Sequence, residues 1–392
     1  MIASITPLFP VAAAARRLRV SVVTETYPPE VNGVAMTIGR LVEGLLAREH
    51  TVQVIRPRQH GRDHAYRDGR LEVLPLPGFP IPFYPQLRMG FPASRRLGRH
   101  WRQTPPDVVH LVTEGPLGGS ALATARGLGL RVFSGFHTNF HTYSRHYGVG
   151  LLAKPIVAYL RRFHNRTDCT LVPTEELAAE LRALGFHRLR VLARGVDTRL
   201  FGPERRDPVL RRSWGVGPTD PVAMYVGRLA AEKNLQLVLE AYRAVRTVRP
   251  SARLVLVGDG PLATRLQARH PEIVFPGARI GADLAAHYAS ADFFLFPSLT
   301  ETFGNVTLEA MASGLAVVAF DYAAAHRHIV HGQSGLLAPR GDHAGFIAAI
   351  RRLAEEPELA RALGQAARRA VMAFDWERIC EQLEQCYEEV IR

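Results

Sequence analysis

The chain is poor in cysteine and in lysine. Its 392 residues hold three cysteines and two lysines, Lys154 and Lys233, against 47 arginines. Cys169, Cys380 and Cys386 show no metal spacing and cannot all pair, which excludes a disulfide scaffold and fits a reduced, cytoplasmic protein. No run of ~18 consecutive apolar residues is present, which excludes a membrane-spanning helix. The 33 Gly and 27 Pro follow no short period, so a collagenous or low-complexity chain is excluded too. Residues 1–17 lack the early basic residues of a signal segment until Arg16, and are expected to be a disordered leader.

What is present is apolar content and lopsided charge. At 47% hydrophobic the chain has material for two cores. Residues 1–195 carry 26 Lys+Arg against 13 Asp+Glu, whereas residues 196–392 carry 23 of each. An excess confined to one half suggests that this half meets an anionic surface. Two stretches could form it. One runs from Phe79 through Phe83, Arg88, Phe91, Arg95, Arg96 and Arg99 to Trp101, and the other is Leu151–Phe163 with Lys154, Arg161 and Arg162. Both could equally be core helices with basic outer faces.

Short β-branched runs alternate with helical periodicity along the whole chain. Leu18–Thr24 reads as a strand, Val34–Arg48 as a helix and Thr51–Arg56 as a second strand. The pattern continues through Val108–Val112, Leu130–Phe133, Cys169–Pro173 and Arg190–Ala193. A turn-rich linker follows at Gly195–Pro203. The pattern resumes at Val222–Val226, Arg253–Val257, Ile273–Phe275, Phe293–Phe296 and Ala316–Phe320. The fold class is therefore α/β, two doubly wound Rossmann-like domains, with the ligand expected in a cleft between them. The boundaries are 18–198 for the first domain, completed by a C-terminal helix 375–392, and 199–374 for the second.

Several constellations carry chemistry. After a strand ending at Phe296, Glu301 and Glu309 flank Phe303-Gly304-Asn305-Val306, where a helix begins. The glycine admits close backbone approach, and the free N–H groups of the first turn favour a phosphate. Glu309 is placed to accept from ribose hydroxyls. After Val226, Gly227-Arg228 precedes Lys233 by five residues, two cations that could clamp a diphosphate without metal. Val257-Gly258-Asp259-Gly260 and Asn32-Gly33-Val34 are weaker strand–turn–helix signals. His137 and His141 lack the third ligand that a metal needs, so His137 just past a strand is read as a neutral substrate contact.

These residues resemble family 4 retaining glycosyltransferases of the GT-B fold. The likeness rests on Glu301 and Glu309 with seven residues between them, Val226-Gly227-Arg228 with Lys233, Val257-Gly-Asp-Gly-Pro261, Asn32-Gly33-Val34 and Gly195-Val-Asp197. It covers the chain from Leu18 to the last helix. The Asn-Gly-Val opening and Phe136-His-Thr-Asn139 are most similar to GDP-mannose-dependent α-mannosyltransferases and sulfoquinovosyl-type glycolipid synthases. The resemblance implies that Arg228 and Lys233 bind the donor diphosphate with Gly33, Gly258 and the backbone of Phe303, Gly304, Asn305 and Val306. It also implies that Glu309 holds the ribose and that Arg279 and Ile280 line the base pocket. Glu301 and His137 are the implied catalytic residues at the sugar. Asp321-Tyr-Ala-Ala-Ala-His-Arg-His328 departs from the usual Gly-Gly and acidic segment that meets the sugar.

The implied reaction is front-face displacement with retention, moving a hexose, first choice mannose from GDP-mannose, to a lipid or glycan acceptor. No metal or other cofactor is expected beyond the donor, GDP-mannose or a UDP-sugar. The expected location is cytoplasmic, at the anionic inner face of the plasma membrane. A UDP-sugar-dependent glycolipid synthase and a sugar-nucleotide epimerase are the alternatives. A nucleic-acid binder would leave Glu301, Glu309 and Lys233 without a purpose.

Overall fold

The computed structural model describes residues 16–30, 32–81, 84–137, 150–301 and 303–392. The leader up to residue 15, Phe83 and His141 lie outside the described residues. The side chains of Leu151, Leu152 and Ala153 are likewise not described.

The chain divides into two compact units. One comprises residues 1–135, 166–169 and 386–392, the other residues 136–165 and 170–385. The first contains β1 (Arg19–Val23), α1 (Gly33–Ala47), β2 (Thr51–Pro57), β3 (Tyr66–Asp68), β4 (Leu71–Leu76), β5 (Gly78–Ile81) and β6 (Tyr84–Gly90). It continues with α2 (Ser94–Gln103), β7 (Val108–Leu111), α3 (Pro116–Gly127) and β8 (Arg131–Gly135). Its strands run in the order β8-β7-β1-β2-β4-β3, parallel except for the β3–β4 hairpin, and β5 pairs with β6 as a separate ribbon. All of β1 except Arg19 is buried, as expected of a parallel strand covered on both faces.

The second unit holds α4 (Gly150–His164), the parallel pair β9 (Cys169–Val172) and β10 (Leu189–Val191), which the boundary enters at Thr170, and between them α5 (Glu175–Ala183). Then come α6 (Pro208–Ser213), β11 (Val222–Val226), α7 (Leu235–Val248), β12 (Arg253–Val257), α8 (Ala263–Arg269), β13 (Val274–Gly277), α9 (Gly281–Ala289) and β14 (Phe293–Phe296). The chain ends with α10 (Asn305–Ala312), β15 (Ala316–Phe320), α11 (Ala323–His328), β16 (Leu336–Ala338), α12 (His343–Glu355), α13 (Pro357–Val371) and α14 (Trp376–Ile391). The strand order β13-β12-β11-β14-β15-β16 is wholly parallel.

Both sheets reverse direction of winding beside their first strand. In the first unit the chain fills one side of β1 with β2 and β4, then returns to β7 on the other side. In the second it fills one side of β11 with β12 and β13, then returns to β14 on the other side. Crevices open outside the carboxyl ends of strands at such points, because the flanking helices depart in opposite directions. The loops after β11, β12 and β14 therefore converge on one such place within the second unit.

Candidate functional site

The floor of this place is made of backbone. Gly227 follows β11 with φ +150°, and its N–H donates to Val257 O at 3.0 Å. Gly258 follows β12 with φ +139°, and a Cβ there would lie 1.9 Å from Gly227 O. Two loops thus cross with no room for a side chain between them, and only glycine fits. Leu229 N–H donates to Asp259 O at 2.9 Å, fastening the crossing one step further on.

From this floor the chain turns through a single 3-10 turn, Ala231–Lys233, and Asn234 takes a left-handed conformation (φ 55°) before α7. The turn carries Lys233 toward the loop after β14, where Nζ meets Glu301 Oε1 at 2.5 Å and Thr300 O at 3.4 Å. Ser298 Oγ donates to the same carboxylate oxygen at 2.9 Å. Both ends of this ion pair are more than four-fifths buried. The two residues expected to meet diphosphate and sugar are therefore partners of each other here. Arg228 is placed differently: its side chain is half-exposed and its Nη1 lies 3.8 Å from Glu232 Oε1. Tyr225 reaches up from β11 to donate its hydroxyl to Arg228 O at 3.2 Å, and burial holds that phenol well above its ordinary range.

Gly304 caps α10 in a left-handed conformation (φ 93°, ψ 62°), so the chain reverses tightly between Glu301 and Asn305. The helix starts at Asn305, and the amides of Asn305 and Val306 belong to the first turn, which has no intrahelical acceptors. Phe303 is buried, and its carbonyl accepts from Ala324 N–H at 2.8 Å. Glu309, one turn in, accepts from the Tyr288 hydroxyl at 2.9 Å. Burial and the Glu309 carboxylate both push the Tyr288 phenol well above its usual value. Tyr322, in the segment that departs from the family pattern, donates its hydroxyl to Glu301 O at 2.9 Å and lies under the Arg340 guanidinium at 4.3 Å. Tyr225, Tyr288, Ser298 and Tyr322 all hold site residues, and none is marked by local sequence.

Another residue missed by sequence is Arg194. It is 7% exposed, its Nη1 donates to Asn305 Oδ1 at 3.3 Å, and its Nη2 lies 3.3 Å from His137 Nδ1. Its guanidinium stands 5.6 Å from the centre of the Phe303 ring. Burial draws its pKa down to about 10, so the charge persists at neutral pH. One signal lay beside it: the Gly195-Val-Asp197 motif that follows immediately. Its burial was invisible among 47 arginines.

The remaining expected residues lie elsewhere. Arg279 and Ile280 follow β13, Arg279 pairing with Asp283 at 3.1 Å and Ile280 61% exposed just before α9. Gly33 belongs to the first unit and opens α1 behind the Asn32 cap. Among the described residues no group of three or more His, Cys, Asp or Glu converges as a metal site, and no helix is long and apolar enough to cross a membrane.

Residues 31–200 match the family described as Glycosyltransferase Family 4, and residues 220–356 match Glycosyl transferases group 1. Over 379 residues the chain is 37% identical to the GDP-mannose-dependent alpha-mannosyltransferase of Mycobacterium tuberculosis (strain CDC 1551 / Oshkosh), covering 95% of this chain and 97% of that one. It is 33% identical to the sulfoquinovosyl transferase SQD2 of Arabidopsis thaliana over 307 residues, 76% of this chain and 59% of that one. Among solved structures, sucrose-phosphate synthase from Thermosynechococcus elongatus matches with a TM-score of 0.78 at 20% identity, over 95% of this chain and 99% of that one. Anabaena Alr3699/HepE in complex with UDP-glucose matches with 0.74 at 17%, over 95% and 100%. The structural likenesses establish the fold, and the sequence identity establishes the family. The chain belongs to glycosyltransferase family 4, with the GT-B fold, and is a hexosyltransferase.

Proposed function

We propose that the protein moves mannose from GDP-mannose to a lipid or glycan acceptor, with retention and without a metal. The observation that carries this is the 37% identity, over nearly the whole of both chains, to a GDP-mannose-dependent alpha-mannosyltransferase. The geometry of the second unit supports it. Lys233 and Arg228 follow β11 and the first turn of α10 follows its neighbour β14, and in this reading they supply positive charge where a leaving diphosphate gathers negative charge. In this reading the bond from the anomeric carbon to the diphosphate breaks as the acceptor oxygen attacks from the same face. The acceptor's proton passes to the leaving phosphate oxygen. Glu301 orients the sugar hydroxyls, and Glu309, held by Tyr288, takes the ribose.

A UDP-sugar-dependent glycolipid synthase is the second reading, and the likeness to alpha-monoglucosyldiacylglycerol synthase of Streptococcus pneumoniae at 29% identity favours its glycolipid product. Thermal shift decides between them, since a ligand bound only to the native state raises the melting temperature. GDP and GDP-mannose are expected to raise it and UDP-sugars to leave it unchanged, with GDP release persisting in excess EDTA. A shift with UDP-sugars alone would overturn the mannose assignment. Chelation that abolished turnover, restored by magnesium, would overturn the metal-independent one.

The acceptor side is read from α2. Leu97 and Trp101 are buried while Arg95, Arg96 and Arg99 are exposed, so the helix offers a row of arginines to solvent. Each cation near an anionic bilayer contributes ~1 kcal/mol. Vesicle co-sedimentation should rise with anionic lipid and fall with salt, and replacing the three arginines by Glu should weaken it. Equal binding to neutral vesicles would favour a soluble acceptor.

A further inference from the structure

Arg194 is a cation almost wholly removed from water, and among the described residues no carboxylate lies within ion-pairing distance of it. Its partners are instead the imidazole of His137 and the side-chain amide of Asn305. A guanidinium carries only donors, so each partner must turn an acceptor atom toward it. The acceptor of the amide is Oδ1, which leaves its NH2 to donate elsewhere. The acceptor of the ring is Nδ1, which places the proton of the neutral ring on Nε2. The face of Phe303 lies beside the guanidinium, and Phe303 is itself fixed between Ala324 N–H and the start of α10. Arg194 is thus held at a point where its charge and its geometry act on both residues together.

We propose that Arg194 is a positioning residue that converts His137 and Asn305 into hydrogen-bond donors aimed at the anionic sugar nucleotide. The inference rests on the donor-site reading above. It has a mechanistic consequence. With Nδ1 occupied by a fixed cation, His137 is a donor through Nε2–H and not a base for the acceptor hydroxyl. The acceptor's proton then has to leave by another path, which the leaving phosphate oxygen supplies. The same guanidinium holds the Asn305 amide by its Oδ1 at the first residue of α10, which keeps the NH2 as that side chain's donor beside the first-turn backbone N–H groups. Glu301, the charged group whose field reaches Arg194, holds the cation in its charged state without contacting it directly.

The test has a readout that requires no substrate. In protein labelled with nitrogen-15 at histidine, the His137 signal is assigned by its loss in His137→Gln. It should show the Nε2–H tautomer in the parent and a shift to Nδ1–H or a mixture in Arg194→Met. An Nδ1–H tautomer in the parent overturns the proposal. In kinetics, Arg194→Met should lower kcat by ~100-fold, the loss expected when preorganised donors are misaligned, while GDP affinity changes by less than ~3-fold. Arg194→Lys, which keeps a cation but not the fork, should recover part of kcat. Wild-type kcat in folded Arg194→Met also overturns it. Should the methionine variant fail to fold, the parent's tautomer and the lysine variant still decide. Absence of any GDP-mannose turnover by the parent would strike the donor-site reading alone, because the tautomer is measured without donor.

Discussion

The strand-end loops of the two sheets are built from different materials. In the first unit the loop after β1 is tied by side chains. Asn32 caps α1 by accepting from Val34 and Ala35 N–H and donates to Thr26 Oγ1 at 2.7 Å. Thr26 donates to Glu30 at 2.5 Å, and Gln59 from the loop after β2 donates to the other Glu30 oxygen at 2.9 Å. Gln59 N–H in turn donates to Asp63, which forms a buried pair with Arg56. In the second unit the loops after β11 and β12 are fastened by glycine backbone crossing glycine backbone, and the Lys233–Glu301 pair is laid over that crossing. A side-chain lattice can lose one member and relax. A backbone crossing has no such slack, because moving Gly227 O would pull on the β11–β12 ladder.

Breaking the backbone crossing should therefore have the largest effect. Gly258→Ala adds a Cβ 1.9 Å from Gly227 O in a left-handed backbone conformation, and should cost about 4 kcal/mol, in the exceptional range for one substitution. Urea denaturation reads this, and a variant within ~1 kcal/mol of the parent would show that the crossing is soft.

The first unit stores its sensitivity in charge. Burial raises the Glu25 carboxyl from 4.5 to about 7. It lies at the N-terminus of α3, with Leu117 N–H at 3.4 Å. A folded-state value above the unfolded one means that the stability this group contributes is complete below pH 4.5. It is lost as pH rises through 7. Glu25→Gln should match the parent near pH 4 and exceed it by about 3 kcal/mol above pH 8. Parallel stability curves for the two proteins across that window would exclude the effect.

Side chains laid over the second unit's backbone should matter to rate. Lys233→Ala and Arg228→Ala are each expected to lower turnover by ~100-fold, about 2.7 kcal/mol of transition-state stabilisation. Near-normal rates in both would remove the diphosphate clamp. The smallest effect belongs to the side-chain lattice. Asn32→Ala should cost about 1 kcal/mol, the usual loss of an N-cap, because Thr26, Glu30 and Gln59 keep their other bonds. A loss as large as that of Gly258→Ala would erase the contrast between the two units.

Much of the fold was legible because it is local. Helical spacing placed α1 within one residue of its observed ends, and the C-terminal helix expected from residue 375 is α14, which follows the 3-10 turn Met372–Phe374. The strand β4 was not read, since Pro75 interrupts Leu71–Leu76 and a proline weighs against a strand interior. It pairs with β2 on one side and the short β3 on the other, and that long-range pairing is not written in its own residues. Leu336–Ala338 was missed for its length. At the site, Glu301, Gly304 and Glu309 were legible from their spacing around one turn.

The amino-acid sequence by itself determined the alternation of strand, glycine turn and helix, because each depends on residues a few positions apart and on which residue tolerates positive φ. It determined the family in the same way, through motifs that each lie within one loop. The tertiary structure alone decided who meets whom above the sheet. Lys233 reaches Glu301 across 68 positions, and Arg194 reaches His137 across 57 and Asn305 across 111. Such pairings follow from the order of strands in the sheet, and that order is settled by burying whole faces at once, which no single stretch of sequence can specify.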